Sequence, residues 1–181
     1  PYTTDTPGNM TTQISLFHYL MSFPYRFLSD NLDFNIIVII FRSVCIGLVA
    51  WGLLVYVKVL RTMKIPKSAI HVSLLVFILL PIVPFVAATV NYDNLLFPLT
   101  ALFMLFAARI IEDKAINLRN IALLLVIGSL AALTKYSFLP IFVAGLLFVA
   151  ASIIYKNRRA IRRNFSKSYS KLSLNQKLIY G

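Results

Sequence analysis

The chain has 181 residues, 59% of them hydrophobic and 13% charged, whereas soluble domains average about 45–50% apolar and about 25% charged. That excludes an ordinary water-soluble globule and makes lipid the main solvent of the fold. The net charge of +12 would suit a nucleic-acid partner, but eight of the eighteen Lys and Arg lie between Lys156 and Lys177, and most others separate apolar runs, which is a topology pattern and argues against nucleic acid.

In chain order, residues 1–33 read as an extracytoplasmic segment. The chain opens at Pro1 without a signal peptide, and both of its ends are expected to be truncations. Asn9-Met10-Thr11 is a glycosylation sequon that matters only in a host with that machinery. Leu16, Leu20, Phe23 and Phe27 share one helical face, and Ser15, His18, Ser22 and Arg26 the opposite one. The pattern predicts an amphipathic helix lying in the outer interface, bent at Pro24, although a plain lead-in to the first span fits the same residues.

Residues 34–155 read as a membrane domain. A helix needs about 20 apolar residues to cross about 30 Å of hydrocarbon, and lipid admits only structures that satisfy their own backbone groups. About five spans are predicted, over 34–57, 70–90, 95–111, 118–134 and 138–155. The second carries Pro81 and Pro84 and should bend; the fourth is short. The alternation of a β-barrel strand is absent, so the expected class is all-α, a polytopic helix bundle. Cys45 lies within the first span, cannot form an intrachain disulfide, and reads as a buried structural thiol. Residues 156–181 form a basic tail or loop.

Loop charges orient the bundle. Lys58, Arg61, Lys64 and Lys67 follow the first span, Arg109, Lys114 and Arg119 flank the turn after the third, and the basic tail follows the fifth. The opposite side carries Arg26 and Lys135 alone. The tail is therefore expected in the cytoplasm, where it also attracts anionic lipid. The turns at Asn91 and Lys135 are expected outside, in what reads as a bacterial plasma membrane.

Three polar groups stand out in this apolar chain. In Asn91-Tyr92-Asp93-Asn94, Asp93 or Asn94 is a candidate cap for the third span, and Asp93 is equally a candidate active-site carboxylate. Lys135, in Thr134-Lys135-Tyr136-Ser137, is a snorkelling anchor beside an interfacial Tyr or a point charge for a lipid phosphate. Arg42 lies about eight residues into the first span, roughly 12 Å at about 1.5 Å per residue. Such burial costs at least about 2.5–3.5 kcal/mol, so either a structural pairing with Asp93 or a phosphate contact is expected. His18 and Arg26 are the further candidate polar residues of that side. A lone His71 at the start of the second span reads as structural or interfacial. There is no P-loop, GxSxG, HExxH or zinc pattern. What remains is a cationic cluster with one carboxylate at a membrane surface, suited to a phosphorylated lipid: the cations hold the phosphate and the carboxylate acts as base or positions a hydroxyl.

Three stretches in this order carry a resemblance: Phe17-His18-Tyr19-Leu20 through Tyr25-Arg26-Phe27 with Phe41-Arg42-Ser43-Val44; Val90-Asn91-Tyr92-Asp93-Asn94-Leu95; and Leu133-Thr134-Lys135-Tyr136-Ser137-Phe138-Leu139-Pro140. Together they resemble the polytopic GT-C-type membrane glycosyltransferases, over most of residues 15 to 150. The resemblance implies transfer of a sugar from a polyprenyl phosphate to an acceptor outside the cytoplasm, as part of cell-envelope synthesis. It implies Asp93 as a secondary active-site carboxylate, and Lys135 and Arg42, with His18 and Arg26, near the lipid phosphate. The family's main catalytic acid belongs to a first outer loop, for which the chain offers only Asp5, so this fragment is expected not to catalyse transfer alone. The cofactor is open: a divalent metal would be compatible, but no ligand cluster is visible. A transporter or flippase subunit and a non-catalytic membrane scaffold are the alternatives.

Overall fold

The computed structural model describes residues 15–113 and 117–158. The sequon, Asp5, Lys114 and the basic tail from Arg159 onward lie outside the described residues. Within them the chain is all-helical, without a strand. The helices are α1 (Leu16–Ser29), α2 (Phe34–Thr62), α3 (Lys67–Leu79), α4 (Ile82–Ala87), α5 (Asp93–Glu112) and α6 (Leu118–Thr134). A last helix, α7 (Tyr136–Arg158), opens with a 3-10 turn over Tyr136–Phe138. α2, α5 and α7 are each long and apolar enough to cross a membrane, and such helices point to a membrane protein.

α5 is the centre of the bundle. Its Ala101 and Leu105 pack on Val55 and Val59 of α2. Its other side, Leu99, Phe103, Phe106 and Ile110, meets Leu124, Ile127 and Ala131 of α6, Phe138, and Val149 of α7. In its most apolar stretch 44% of residues are buried, against 17% in α2 and 11% in α7. The outer helices therefore expose what α5 buries: Ile39, Leu54, Leu79, Phe85, Leu147 and Phe148 are all more than 60% exposed. In water a surface so apolar would aggregate; in hydrocarbon it is matched to its solvent. Close approach of α2 to α5 depends on Gly52, where a Cβ would fall 2.5 Å from the Phe97 ring and 3.2 Å from the Pro98 backbone.

The second predicted span is interrupted rather than bent. Leu80 is extended (φ −64°, ψ 118°) between α3 and α4, because a residue preceding proline is driven out of the α region and Pro81 lacks an N–H to continue the ladder. Pro84 is tolerated because it falls in the first turn of α4, where N–H groups have no intrahelical partner. α2 runs five residues past the expected 57 to Thr62, since Lys58 and Arg61 are good helix formers. Its end is a Schellman turn: the N–H of Ile65 donates to the carbonyl of Leu60 (3.1 Å) and that of Lys64 to Arg61 (3.0 Å). Lys64 takes the left-handed position (φ 60°).

α1 is a helix, as its periodicity predicts, and runs through Pro24. Its protein-facing side is offset from the expected stripe: Phe17 is buried and Met21 and Leu28 are half-buried. Leu20, Phe23 and Phe27 of the expected stripe are 47%, 57% and 76% exposed. Periodicity finds an apolar face but cannot say whether protein or lipid covers it. α1 lies against both α2 and α6.

Polar contacts gather at two ends of the bundle. At one end Lys64 Nζ meets Glu112 (2.7 Å) and Asn120 Nδ2 donates to Asp113 Oδ2 (3.1 Å). There Lys156 Nζ donates to the carbonyls of Ile110, Ile111 and Asp113, closing the C-terminus of α5 with a cation, as its dipole favours. The other end holds the first turn of α5 and the α6–α7 junction. The 20 residues of α5 hold the two ends about 30 Å apart at about 1.5 Å per residue.

Candidate functional site

The site forms where the chain enters α5. The helix begins at Asp93, and Tyr92 before it is already helical (φ −62°, ψ −23°). A capping side chain must stand before the first turn, so neither Asp93 nor Asn94 caps α5, contrary to expectation. Asn91 is the residue in reach: its Oδ1 accepts from the N–H of Asp93 at 3.3 Å. Asp93 instead keeps its carboxylate in the first turn, where the helix dipole stabilises negative charge. Asn94 is fully buried and its Nδ2 donates to the carbonyl of Thr89 (2.6 Å), which ties the end of α4 to the start of α5.

The second half of the site comes from the α6–α7 junction. Helix α6 ends at Thr134 and Lys135 is extended (φ −148°, ψ 116°). That conformation carries its side chain to the neighbouring turn, where Nζ meets Asp93 Oδ1 at 2.8 Å. The two turns predicted to share one face are thus joined by a charge-assisted hydrogen bond. Nζ also lies 5.0 Å above the centre of the Tyr92 ring, within cation–π range. The hydrogen bond to Asp93 is the main cause that holds the Lys135 ammonium above the ordinary lysine value of 10.5; burial opposes it, and the Asp93 charge adds to it.

His18 of α1 is the third contributor. Its ring lies 6.2 Å from that of Tyr92, and its Nδ1 is 3.0 Å from Ser15 Oγ, which orients the imidazole. The exposed side chain therefore borders the Asp93–Lys135 pair through Tyr92, a residue that composition offers only as one aromatic among many.

Arg42 and Arg26 are not brought into this cluster. Arg42 is exposed on α2 and pairs with no carboxylate among the described residues, so the expected structural pairing with Asp93 is replaced by the pair with Lys135. Asp93 stands at a helix terminus beside a lysine on a short extended junction, whereas Arg42 is anchored inside a helix whose buried stripe is Ile37, Phe41 and Cys45. Arg26 is exposed eight residues along α1 from His18, about 12 Å at about 1.5 Å per residue. His71 is exposed near the start of α3, and Cys45 is fully buried, as expected of a structural thiol.

Chemically, the site offers one carboxylate, one ammonium, one imidazole and a phenol within a few ångströms of a helix N-terminus. The side chains of Lys135 and Asp93 are 36% and 34% exposed, so the pair is open to solutes. Among the described residues no three or more His, Cys, Asp or Glu side chains gather as metal ligands. Compared with known protein families, curated proteins and solved structures, the chain matches none.

Proposed function

We propose that the chain is part of an integral membrane glycosyltransferase that moves a sugar from a polyprenyl phosphate to an acceptor outside the cytoplasm. The observation that carries this reading is the half-exposed Lys135–Asp93 pair (2.8 Å) at the meeting of two interhelical turns. The resemblance of its flanking segments to GT-C-type enzymes supplies the reaction class.

In this reading Lys135 exchanges its carboxylate for the lipid phosphate, which it holds as a point charge. Asp93, released from the pair, is then free to accept the proton of the acceptor hydroxyl or to position it. Donor binding thus unmasks the carboxylate. His18 borders the same pair through Tyr92. Arg42 and Arg26, exposed on α2 and α1, attract anionic headgroups toward the site without touching it.

The same reading takes α3 and α4 together as one interrupted crossing, which gives five crossings with the short α6. The Lys64, Lys156 end, richer in lysine and arginine, faces the cytoplasm, and the Asp93 end faces outward across a bacterial plasma membrane. The break at Leu80–Pro81 also favours a second reading, a transporter or flippase subunit, since discontinuous helices build transport sites.

The test is transfer from a polyprenyl-phosphate sugar by the full-length protein. Asp93→Asn is expected to lower transfer about 10²-fold or more, the usual range of a general base, and Lys135→Ala to weaken donor binding. Unchanged transfer by both variants overturns the proposed roles. Movement of the lipid-linked sugar across vesicles without transfer supports the transporter instead.

A further inference from the structure

α2 reaches well past the start of α5. Gly52 faces Phe97 and Pro98, Val55 and Val59 pack on Ala101 and Leu105, and Lys64 meets Glu112. The two helices therefore run parallel. Neighbours differ by 46 in residue number (98 against 52, 105 against 59), which puts Asp93 level with Gly47. Residues 34–46 of α2 rise beyond that level, by about 20 Å at about 1.5 Å per residue.

α1 packs beside this extension. His18 lies next to Tyr92 and Tyr25 next to Phe41, so α1 runs antiparallel to α2. What the two helices leave uncovered is largely apolar: Ile36, Ile39, Val44 and Ile46 of α2 are 44%, 63%, 42% and 51% exposed. Standing in water, such a surface would aggregate.

Charge identifies what covers it. Arg42 and Arg61 are both exposed. Their separation along α2 is about 28 Å at about 1.5 Å per residue, which matches the roughly 30 Å of hydrocarbon in a bilayer. Between them the one charged residue is Lys58, a turn from Arg61, where a lysine stem reaches the headgroups. From Asp93 to Arg109, α5 rises only about 24 Å at the same pitch, too little to hold the whole hydrocarbon layer between its own charges.

We propose that the bilayer covers α2 from Arg42 to Arg61, so that the acyl chains of one leaflet extend past the Lys135–Asp93 pair and the headgroup phosphates meet Arg42. The pair then lies about 7 Å beneath the headgroups, five residues of rise below Arg42. Water reaches it along the polar flank of α1, where His18, Ser22 and Arg26 recur at four-residue spacing. The inference holds for either orientation of the bundle and does not depend on the glycosyltransferase reading.

The test uses the full chain in lipid nanodiscs. Trp51 is the single tryptophan and stands midway between Arg42 and Arg61. Phospholipids brominated near the chain ends should quench its fluorescence at least twofold more than phospholipids brominated near the carbonyls. A hydrocarbon layer ending at Asp93 would instead leave Trp51 about 6 Å from its edge and reverse that order. Cys45 is fully buried and gives an unreactive background for a membrane-impermeant maleimide. Ile39→Cys, above Arg42, and Ser22→Cys, on the polar flank, should label at least tenfold faster than Ile46→Cys. Stronger quenching by the shallow bromines, labelling of Ile46→Cys as fast as Ile39→Cys, or slow labelling of Ser22→Cys overturns the proposal. Quenching by neither lipid, the result of a second copy seated on this face, overturns it too.

Discussion

Replacing both members of the Lys135–Asp93 pair, singly and together, tests the geometry of the site before any activity is assayed. The partners lie 2.8 Å apart, but both side chains are about one-third exposed. A fully buried pair would lose about 3–5 kcal/mol when one partner is removed. Solvent screening brings this one toward the surface range, and a coupling of about 0.5–1 kcal/mol is expected. Lys135→Ala also forfeits the contact 5.0 Å above the Tyr92 ring, worth about 0.5–1 kcal/mol at a half-exposed site. It should therefore destabilise by about 1–2 kcal/mol, Asp93→Asn by about 1 kcal/mol or less, and the double variant by little more than Lys135→Ala alone. The readout is thermal unfolding in nanodiscs at neutral pH, followed by the fluorescence of Trp51. The sign of the pH effect is fixed as well. Lys135 is raised above 10.5 in the folded protein, so its contribution is complete below that value and disappears as pH rises through the higher folded value. Wild type should lose this increment above pH 10.5, and Lys135→Ala should not. A coupling above about 3 kcal/mol would refute the half-exposed site. Additive single variants with no alkaline difference would refute the pair itself.

Two glycines of α2 should respond oppositely. Gly52→Leu drives a side chain into the Phe97 ring and the Pro98 backbone and should destabilise by about 1–3 kcal/mol; Gly47→Ala, which meets nothing within 4 Å, should stabilise by up to about 1 kcal/mol. Unfolding midpoints of the two variants decide it. Lys64→Gly should stabilise by up to about 1 kcal/mol in the same assay, because it relieves a left-handed lysine (φ 60°) and gives up only an exposed ion pair. Lys156→Met keeps the apolar stem of the side chain but uncaps the carbonyls of Ile110, Ile111 and Asp113; it should cost about 1 kcal/mol and speed amide exchange at the end of α5 before anywhere else.

The helices were legible where one signal decided them. α6 begins and ends at the residues its apolar run predicts, and α7 and α5 do so within about three residues, because lipid-length apolar runs admit no other structure. The α3–α4 break was legible as two prolines but not as a break. Whether proline bends or interrupts a helix depends on what replaces the lost hydrogen bonds, and that lies in the neighbouring helices. α1 shows the same limit, since Phe17 and Phe27 are equally apolar, yet one is buried against the bundle and the other faces out.

The site was legible as two turns at one end of the bundle, but its membership was not. Alternating loop charge puts Asp93 and Lys135 at one level, yet it cannot choose between Lys135 and Arg42 as the partner of Asp93. That choice is made by backbone. Thr134 ends α6, the extended Lys135 points back toward the start of α5, and a short lysine stem then suffices. Arg42, held in mid-helix beside the buried Phe41 and Cys45, would have to rotate α2 and expose that stripe to reach the same carboxylate. Doing so would forfeit the packing of Phe41 and Cys45 against the rest of the bundle, while a half-exposed ion pair returns only roughly 1 kcal/mol. The packing of α2 against α5 thus decides which cation the carboxylate meets, and it leaves Arg42 exposed on the surface of the bundle.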